Sequence, residues 1–566
     1  MKILGQRRSW IPLACFLAAA VLFYFANRAA YKGYFSDDDL VNLTWPTFIG
    51  NDVYIHGLLS VKTDIRNFRP VGDLYYRYLY RAFHLYFPAY VIALQLLHAL
   101  NVLLVYLLLR ELLFSSVAAG VGAVFYLFHA AVVEIYWKPM FIFDLLCATL
   151  CLAALLLYIR GHWLLGLIPF WLAYKSKEVA VMLPIAFVAW ELWIGKRRWK
   201  RLVPYLVISL NFGLQAIWIN HTLGQGNPYL LNFSFGLLAQ TISFYSAALF
   251  FNMFAGMALL LLPIWLHDRR LYLGLVVMIS LMLPLLLLPG RQLTVYWYTP
   301  MIGVAMVVAA VATRTPRWAL AMLLVLWCSW NYLILRQKRP GILAEGARDR
   351  ALVTALRDYS KRIPPVRAVV YENIPDQIHS WGVDGAINQV FGAEVQTGAA
   401  DRPEGKQAMG KLPMALIRFT APPLAVQGLL RTNDGAQPYI RFTELVPEWQ
   451  LGTGWYDQGS RLRWTMPRAE LILHRPEKAT AFEVLAGMSP GGLDRDGPAE
   501  VSILEDGKTL GVQTLSQVFQ TLRWNLPAAA AGDKHISIVS KPARQGDPGD
   551  PRILGIAVQA LGYTPF

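Results

Sequence analysis

Three adjacent carboxylates, Asp37, Asp38 and Asp39, stand in YFSDDDLVNLTW, one step beyond a hydrophobic run of membrane-spanning length. Like charges packed this closely raise at least one pKa and cost energy unless cations or partners lie near. One chemistry open to such a group is general-base catalysis, in which a carboxylate accepts a proton from an attacking hydroxyl. The other reading is structural, because Asp ahead of an apolar run caps a helix well. The roles are compatible. Asp38, then Asp37, is the expected base, and Asp39 is expected to cap the following helix or to orient the reacting groups as part of a substrate site.

Chemistry on a phosphate also needs fixed positive charge. The same loop, residues 30–87, carries Arg66, Arg69, Arg77 and Arg81, with His56 as a further candidate substrate contact. Arg69 in FRPVG is held extended by the following Pro70 and is the better candidate for an anionic ligand. Arg77 and Arg81 share one face of an aromatic-rich helix and read as interfacial anchors. Other polar groups recur where hydrophobic runs end: His129, Glu134, Lys138, Asp144, Lys175, Lys177, Glu178 and Arg291. A charge inside hydrocarbon costs about 2.5–3.5 kcal/mol even on permissive scales, so such groups face a cavity or each other. Each alone reads as a snorkelling or paired structural charge. Together they converge on one face of the membrane, as a lipid-phosphate substrate requires. Arg69, Lys177 and Arg291 are the expected phosphate ligands, with Lys138 beside them, and Glu178 is expected at the same site as the partner of a cation.

The elements that must position these groups are membrane helices. The chain has 566 residues, 56% hydrophobic and only 16% charged, where soluble domains run near 25% charged. Mean hydropathy is +0.40. Runs of spanning length fall near 10–29, 88–109, 113–133, 140–159, 162–175, 179–195, 202–220, 236–265, 271–289, 299–313 and 317–335, giving about eleven spans. If they alternate, Lys2, Arg7, Arg8, Arg110, Arg160, the Lys196–Arg201 cluster, Arg269, Arg270, Arg314 and Arg317 share one side, the cytoplasm by the positive-inside rule. The acidic loop and everything after about 336 then lie on the opposite side, and Arg336, Lys338 and Arg339 are the exception to that rule. The net charge of +16 is therefore a matter of topology, which excludes nucleic-acid binding as its reason. The four cysteines, Cys15, Cys147, Cys151 and Cys328, lie in apolar runs with no disulfide or metal spacing.

Beyond residue 338 the pattern changes. Residues 339–440 mix an amphipathic stretch, ILAEGARDRALVTALRDYSKRI, with a strand, VRAVVYENI. Residues 441–566 alternate short strands with turn signals, as in RLRWTM, AELILH, AEVSILEDG, TLRWNL, HISIVS and RILGIAVQAL, and point to a β-sandwich. The fold class is thus a polytopic α-helical membrane domain, 1–338, followed by a soluble α/β region and a β-sandwich.

An ordered set of short motifs runs through the membrane half: DD after the first span, FRPVG, His98 and Asn101 in LLHALN, FHAAVVE, SKE at 176–178, and YTPMIG. Taken in order, they resemble GT-C fold glycosyltransferases, and most of all the branch shared by bacterial dolichyl-phosphate-mannose-mannosyltransferase-like proteins and transmembrane TPR-containing O-mannosyltransferases. The similarity covers roughly residues 10–335. That branch often shows W-x-x-G-R-x-D-L-L after the Glu, whereas this chain has WKPMFIFDLL, with Lys138 in place of the lost cation. The tail, with Trp455, Tyr456, Arg463 and Trp464, is similar to β-sandwich accessory modules of bacterial glycosyltransferases; these four residues read first as core packing.

The resemblance implies a polyprenyl-phosphate sugar donor entering from the bilayer, a lipid, glycan or protein acceptor, and inverting transfer with an Asp base. It also implies a bacterial inner-membrane protein with a cytoplasmic N-terminus and an extracytoplasmic tail. No cofactor or metal is expected, since phosphate leaves as a stable anion beside the cations, although three Asp residues suit a divalent ion. Two other readings compete. A transporter or flippase calls for charges at mid-membrane and paired repeats, and a non-catalytic scaffold leaves the aspartates and interface cations without a reason.

Overall fold

The structure is a computed structural model that describes residues 11–62, 68–224, 227–250, 258–420, 423–432, 435–456, 461–546 and 549–565. Arg66 lies outside them. The chain divides into two compact units, Met1–Arg350 and Ala351–Phe566.

In the first unit each of the eleven apolar runs carries helix. Among the described residues six helices are long and apolar enough to cross a membrane: Ala14–Lys32, Phe87–Glu111, Pro139–Ile159, Val203–His221, Arg269–Leu286 and Arg317–Ser360. The pair Ser116–Leu127 and Ala130–Tyr136, bent by 68°, supplies a seventh if it is one span. Of four others, Trp163–Ser176, Leu183–Trp193 and Met301–Ala312 fall short of the roughly 20 residues a straight crossing needs, and Phe235–Phe250 has 16 described residues. Two of these four have 3-10 turns just ahead of them, Glu178–Met182 before Leu183–Trp193 and Thr294–Trp297 before Met301–Ala312. Irregular backbone in a membrane bundle is tolerated where protein covers it or where it lines a polar cavity. These breaks carry Lys177, Glu178 and Tyr296. The chain is a multi-pass membrane protein with a β-rich C-terminal region.

Contacts sort the ends of the helices into two faces. Helix Phe87–Glu111 has 25 residues, about 37 Å of rise. At its start Phe87 packs against Gly33 of the acidic loop. At its far end Glu111 pairs with Arg160 at 2.7 Å, and Arg270 lies over Phe114 at 4.2 Å. The helix leaving the last span returns to the acidic-loop face. There Arg339 donates to the Ala26 carbonyl at 3.4 Å, Lys338 to Ala130 at 3.2 Å, and Arg350 to Gly33 at 2.8 Å. The first loop and the end of the last span therefore share a face, as an odd number of crossings requires.

Helix Arg317–Ser360 carries most of the amphipathic stretch, and its last ten residues open the second unit. A four-stranded sheet follows. Ala368–Tyr371 pairs in parallel with Gln396–Ala399 and Met414–Thr420, which pairs antiparallel with Ala425–Arg431. From Tyr439 onward two antiparallel sheets enclose a core that includes Phe442, Phe482, Ile503, Trp524 and Tyr563. Strand Ala481–Gly487, absent from the sequence expectation, is largely buried along its length and shows little alternation to detect. Trp455 packs on this core and donates to the Glu470 carbonyl at 2.8 Å. Arg463 is buried and donates to the Tyr456 carbonyl at 2.6 Å.

Helices Arg269–Leu286 and Met301–Ala312 approach through two glycines. A Cβ on Gly303 would lie 2.3 Å from the Gly274 carbonyl oxygen and 2.4 Å from the Met278 nitrogen. Small residues of this kind let membrane helices pack backbone to backbone. Gly303→Val is expected to destabilise the protein by about 1–3 kcal/mol through overpacking, measured as a lower melting temperature in detergent. An unchanged melting temperature would show that the two helices can separate freely.

Candidate active site

The acidic triplet forms the first turn of the short helix Asp37–Asn42, with Ser36 as its N-cap. The Ser36 amide and hydroxyl donate to Asp39 Oδ2 at 2.9 and 3.1 Å, closing a capping box. The Tyr76 hydroxyl donates to Asp39 Oδ1 at 2.6 Å. Asp39 is fully buried. Burial pushes its carboxyl up to about 7; the Ser36 and Tyr76 donors pull it down, and the charge of Asp38 adds to the rise. As placed, Asp39 caps and anchors the turn instead of facing a substrate. Asp37 and Asp38, two and one residues earlier, are only half-buried.

FRPVG builds a second helix start by the same logic. Arg69 is the N-cap of helix Pro70–Phe83, Pro70 takes the first helical position, and Asp73 Oδ2 accepts from the Arg69 amide at 3.1 Å. Gly72 leaves room for the Phe143 ring, which a Cβ would meet at 2.1 Å. The Arg69 guanidinium then reaches across to Glu178 in a two-bond fork, Nε to Oε1 at 2.9 Å and Nη2 to Oε2 at 3.1 Å.

Lys177, next to Glu178, sits in extended backbone between helix Trp163–Ser176 and the turn Glu178–Met182. Its Nζ donates to Asp144 Oδ2 at 2.6 Å and lies 4.6 Å from the centre of the Tyr296 ring. Asp144 belongs to the first turn of helix Ile142–Ile159, where the dipole favours negative charge. Arg291 lies beyond the end of helix Arg269–Leu286. Its guanidinium stacks on Tyr229 at 4.9 Å and lies in electrostatic range of Tyr296 and Asp38. Tyr229 is in electrostatic range of Arg69, Lys177 and Arg291 together.

The structure thus gathers Asp38, Arg69, Lys177, Glu178 and Arg291 around two tyrosines. Three cations, Arg69, Lys177 and Arg291, stand beside three carboxylates, Asp38, Asp144 and Glu178. Arg69 and Lys177 each hold a carboxylate directly. Arg291 meets only aromatic and hydroxyl groups at close range, and its Nε is buried with no hydrogen-bond partner among the described residues. Tyr229 and Tyr296 were missed in the sequence. A tyrosine on a loop carries no spacing signal, and only the three-dimensional contact with a cation marks it.

Two expected residues lie elsewhere. Lys138 is held by Glu134 at 2.9 Å and Glu345 at 2.7 Å, so its charge is matched twice in a separate cluster. His56 is exposed on helix Asn51–Leu59, and no side-chain bond joins it to the cluster. Glu345 and the buried Asp349, which is in electrostatic range of Asp37 and Asp39, were also missed. They lie in an amphipathic stretch whose charges read as a solvated face. Among the described residues no three His, Cys, Asp or Glu side chains form a metal-binding group.

No protein-family model and no curated protein matches the chain. Among solved structures it is similar to ArnT from Cupriavidus metallidurans in the apo state, at TM-score 0.45 and 13% identity over 72% of this chain and 92% of that one. The same protein bound to undecaprenyl phosphate aligns at TM-score 0.44 and 11% identity, over 73% and 93%. The arabinosyltransferase EmbB from Mycobacterium smegmatis aligns at TM-score 0.30 and 11% identity, over 96% of this chain and 64% of that one. Overlaps this loose fix neither a family nor a reaction.

Asp39 binds its proton more tightly in the folded chain than in the unfolded one, where aspartate ionises near about 3.9. Folded stability from this group is therefore highest below about pH 4, falls as pH rises through about 7, and is level above that. Asp39→Asn fixes a neutral side chain. The melting temperature of the variant relative to wild type is expected to rise between about pH 5 and about pH 8. The same difference at both pH values would contradict a buried, proton-holding cap.

Proposed function

We propose that this protein is a GT-C-like glycosyltransferase that moves a sugar from a polyprenyl-phosphate donor onto an acceptor hydroxyl. The reading rests on one observation: cations far apart in sequence gather beside two tyrosines, Lys177 over Tyr296, Arg291 over Tyr229 and Arg69 on Glu178, with Asp38 of the acidic turn in electrostatic range of Arg291. The ordered motifs of the membrane half support it.

In this reading the carboxylate of Asp38 takes the proton of the acceptor hydroxyl as its oxygen attacks the anomeric carbon. The bond from that carbon to the phosphate oxygen breaks, and its electron pair leaves with the lipid phosphate. The phosphate goes from one negative charge to two, so positive charge beside it favours the transition state over the ground state. Arg291 supplies that charge first, because no carboxylate is bonded to it among the described residues. Lys177 and Arg69 follow by loosening their hold on Asp144 and Glu178. A single displacement inverts the anomeric configuration. Asp37 is the second candidate base, and Asp39 holds the turn that aims both. The reaction as written needs no metal or cofactor. The acceptor is a lipid, a glycan or a protein.

The basic helix ends gathered on the face opposite the cluster support a cytoplasmic N-terminus and an extracytoplasmic site, with the protein in a bacterial inner membrane.

Asp38→Asn is expected to lower transfer by about 10²–10⁴-fold, the usual worth of a positioned base, with membrane insertion intact. Full activity in both Asp37→Asn and Asp38→Asn would remove the base. Arg291→Ala is expected to raise the KM for the polyprenyl-phosphate donor about tenfold or more, the loss of one charge-assisted contact. Unchanged dependence on donor concentration would take Arg291 out of the phosphate site.

A further inference from the structure

A cavity of about 450 Å³ lies where the first span ends, beside the end of the last apolar run. Arg28, Lys32 and Arg339 line it together with Tyr24, Tyr31 and Tyr332. None of these residues belongs to the cluster around Asp38. Among the described residues the three cations hold no carboxylate. The one hydrogen bond from their side chains goes from Arg339 Nη2 to the Ala26 carbonyl at 3.4 Å, and Arg339 Nε is shut from solvent without a partner.

Three cations lining one cavity repel one another, and the positive-inside rule does not account for them. That rule explains basic residues on the face of Arg110, Arg160 and Arg270, whereas Arg28, Lys32 and Arg339 follow the apolar runs of their helices, on the face of the acidic loop. An anion filling the cavity removes the repulsion. The walls say what kind of anion. Tyr24 and Tyr332 are 50% and 43% exposed, near the ends of the apolar runs of helices long enough to span a membrane. Tyrosine with an apolar ring and a wet hydroxyl is the residue of the headgroup layer. A volume of this order suits a small-molecule headgroup.

We infer that this cavity is a binding site for the phosphate headgroup of an anionic membrane lipid, gripped between Arg28 and Lys32 of the first span and Arg339 of the last. Bound there, the phosphate ties the first span to the helix that carries Glu345 and Asp349. The site stands apart from the transfer chemistry, and its test does not involve a sugar donor.

The test uses the full-length protein in detergent, with native mass spectrometry counting bound lipid. Phosphatidylglycerol and phosphatidylcholine are offered as probes, with and without inorganic phosphate as competitor. Wild type is expected to retain phosphatidylglycerol over phosphatidylcholine. Arg28→Glu and Lys32→Glu, both changes at exposed side chains that leave packing intact, are each expected to weaken that retention about tenfold or more, while Arg28→Lys keeps it. If inorganic phosphate does not displace the lipid, the acyl chains are part of what is recognised. If inorganic phosphate displaces it fully and itself binds as tightly, the site takes free phosphate and the lipid assignment is overturned. Equal retention of the two lipids, or unweakened phosphatidylglycerol binding in both Glu variants, also overturns it.

Discussion

A charge taken out of water into a membrane bundle must find a counter-charge or a cavity. Lys177 and Asp144 show the constraint most sharply. Their side chains are only 12% and 8% exposed, and they meet at 2.6 Å. Neither is tolerable there without the other, so the helix starting near Ile142 and the break at Lys177 are fixed to one another. Removing one partner of a buried pair typically costs about 3–5 kcal/mol. The Arg69–Glu178 fork repeats the arrangement one residue along, at a more exposed position. Between them the two pairs join three chain segments, those of Arg69, Asp144 and Lys177–Glu178, beside Tyr229 and Tyr296.

The local devices that aim these groups are ordinary helix starts. Ser36 with Asp39, and Arg69 with Pro70 and Asp73, satisfy exposed amides at the first turns of two short helices. Each start spends one carboxylate on the backbone. The first leaves Asp37 and Asp38 half-buried at the helix mouth, and the second leaves the Arg69 guanidinium to cross to Glu178. Short helices and 3-10 turns replace straight spans at Lys177 and Tyr296, so that polar side chains emerge from the bundle at one end.

Much of this was legible in the sequence because it depends on composition and spacing. Twenty-residue apolar runs read as spans and the acidic turn ahead of Leu40 read as a helix start, whereas Arg69 before Pro70 read as extended and instead caps the helix Pro70–Phe83. What was not legible depends on partners distant in the chain. Lys138 read as a candidate phosphate ligand because Glu345, more than two hundred residues later, lies in a stretch with ordinary helix periodicity. His98, Asn101 and Tyr298, which belong to the motifs that suggested a family, bond to one another inside the bundle at 2.7 and 3.1 Å. Those motifs therefore record how the helices are joined. Arg291 stood out only as a charge at the end of a run, and its stacking on Tyr229 needed the fold. The central strand Ala481–Gly487 escaped notice for the opposite reason: burial along its length leaves little polar alternation to read.

The account turns on whether Asp38, Arg291 and Lys177 surround one phosphate. A density map of the full-length protein with a bound polyprenyl phosphate tests it most directly. The account predicts phosphate density within hydrogen-bond distance of Arg291, beside Lys177 and on the same face as Asp38. Phosphate density on the far face, near Arg110 and Arg160, or density that leaves Arg291 untouched, would contradict it.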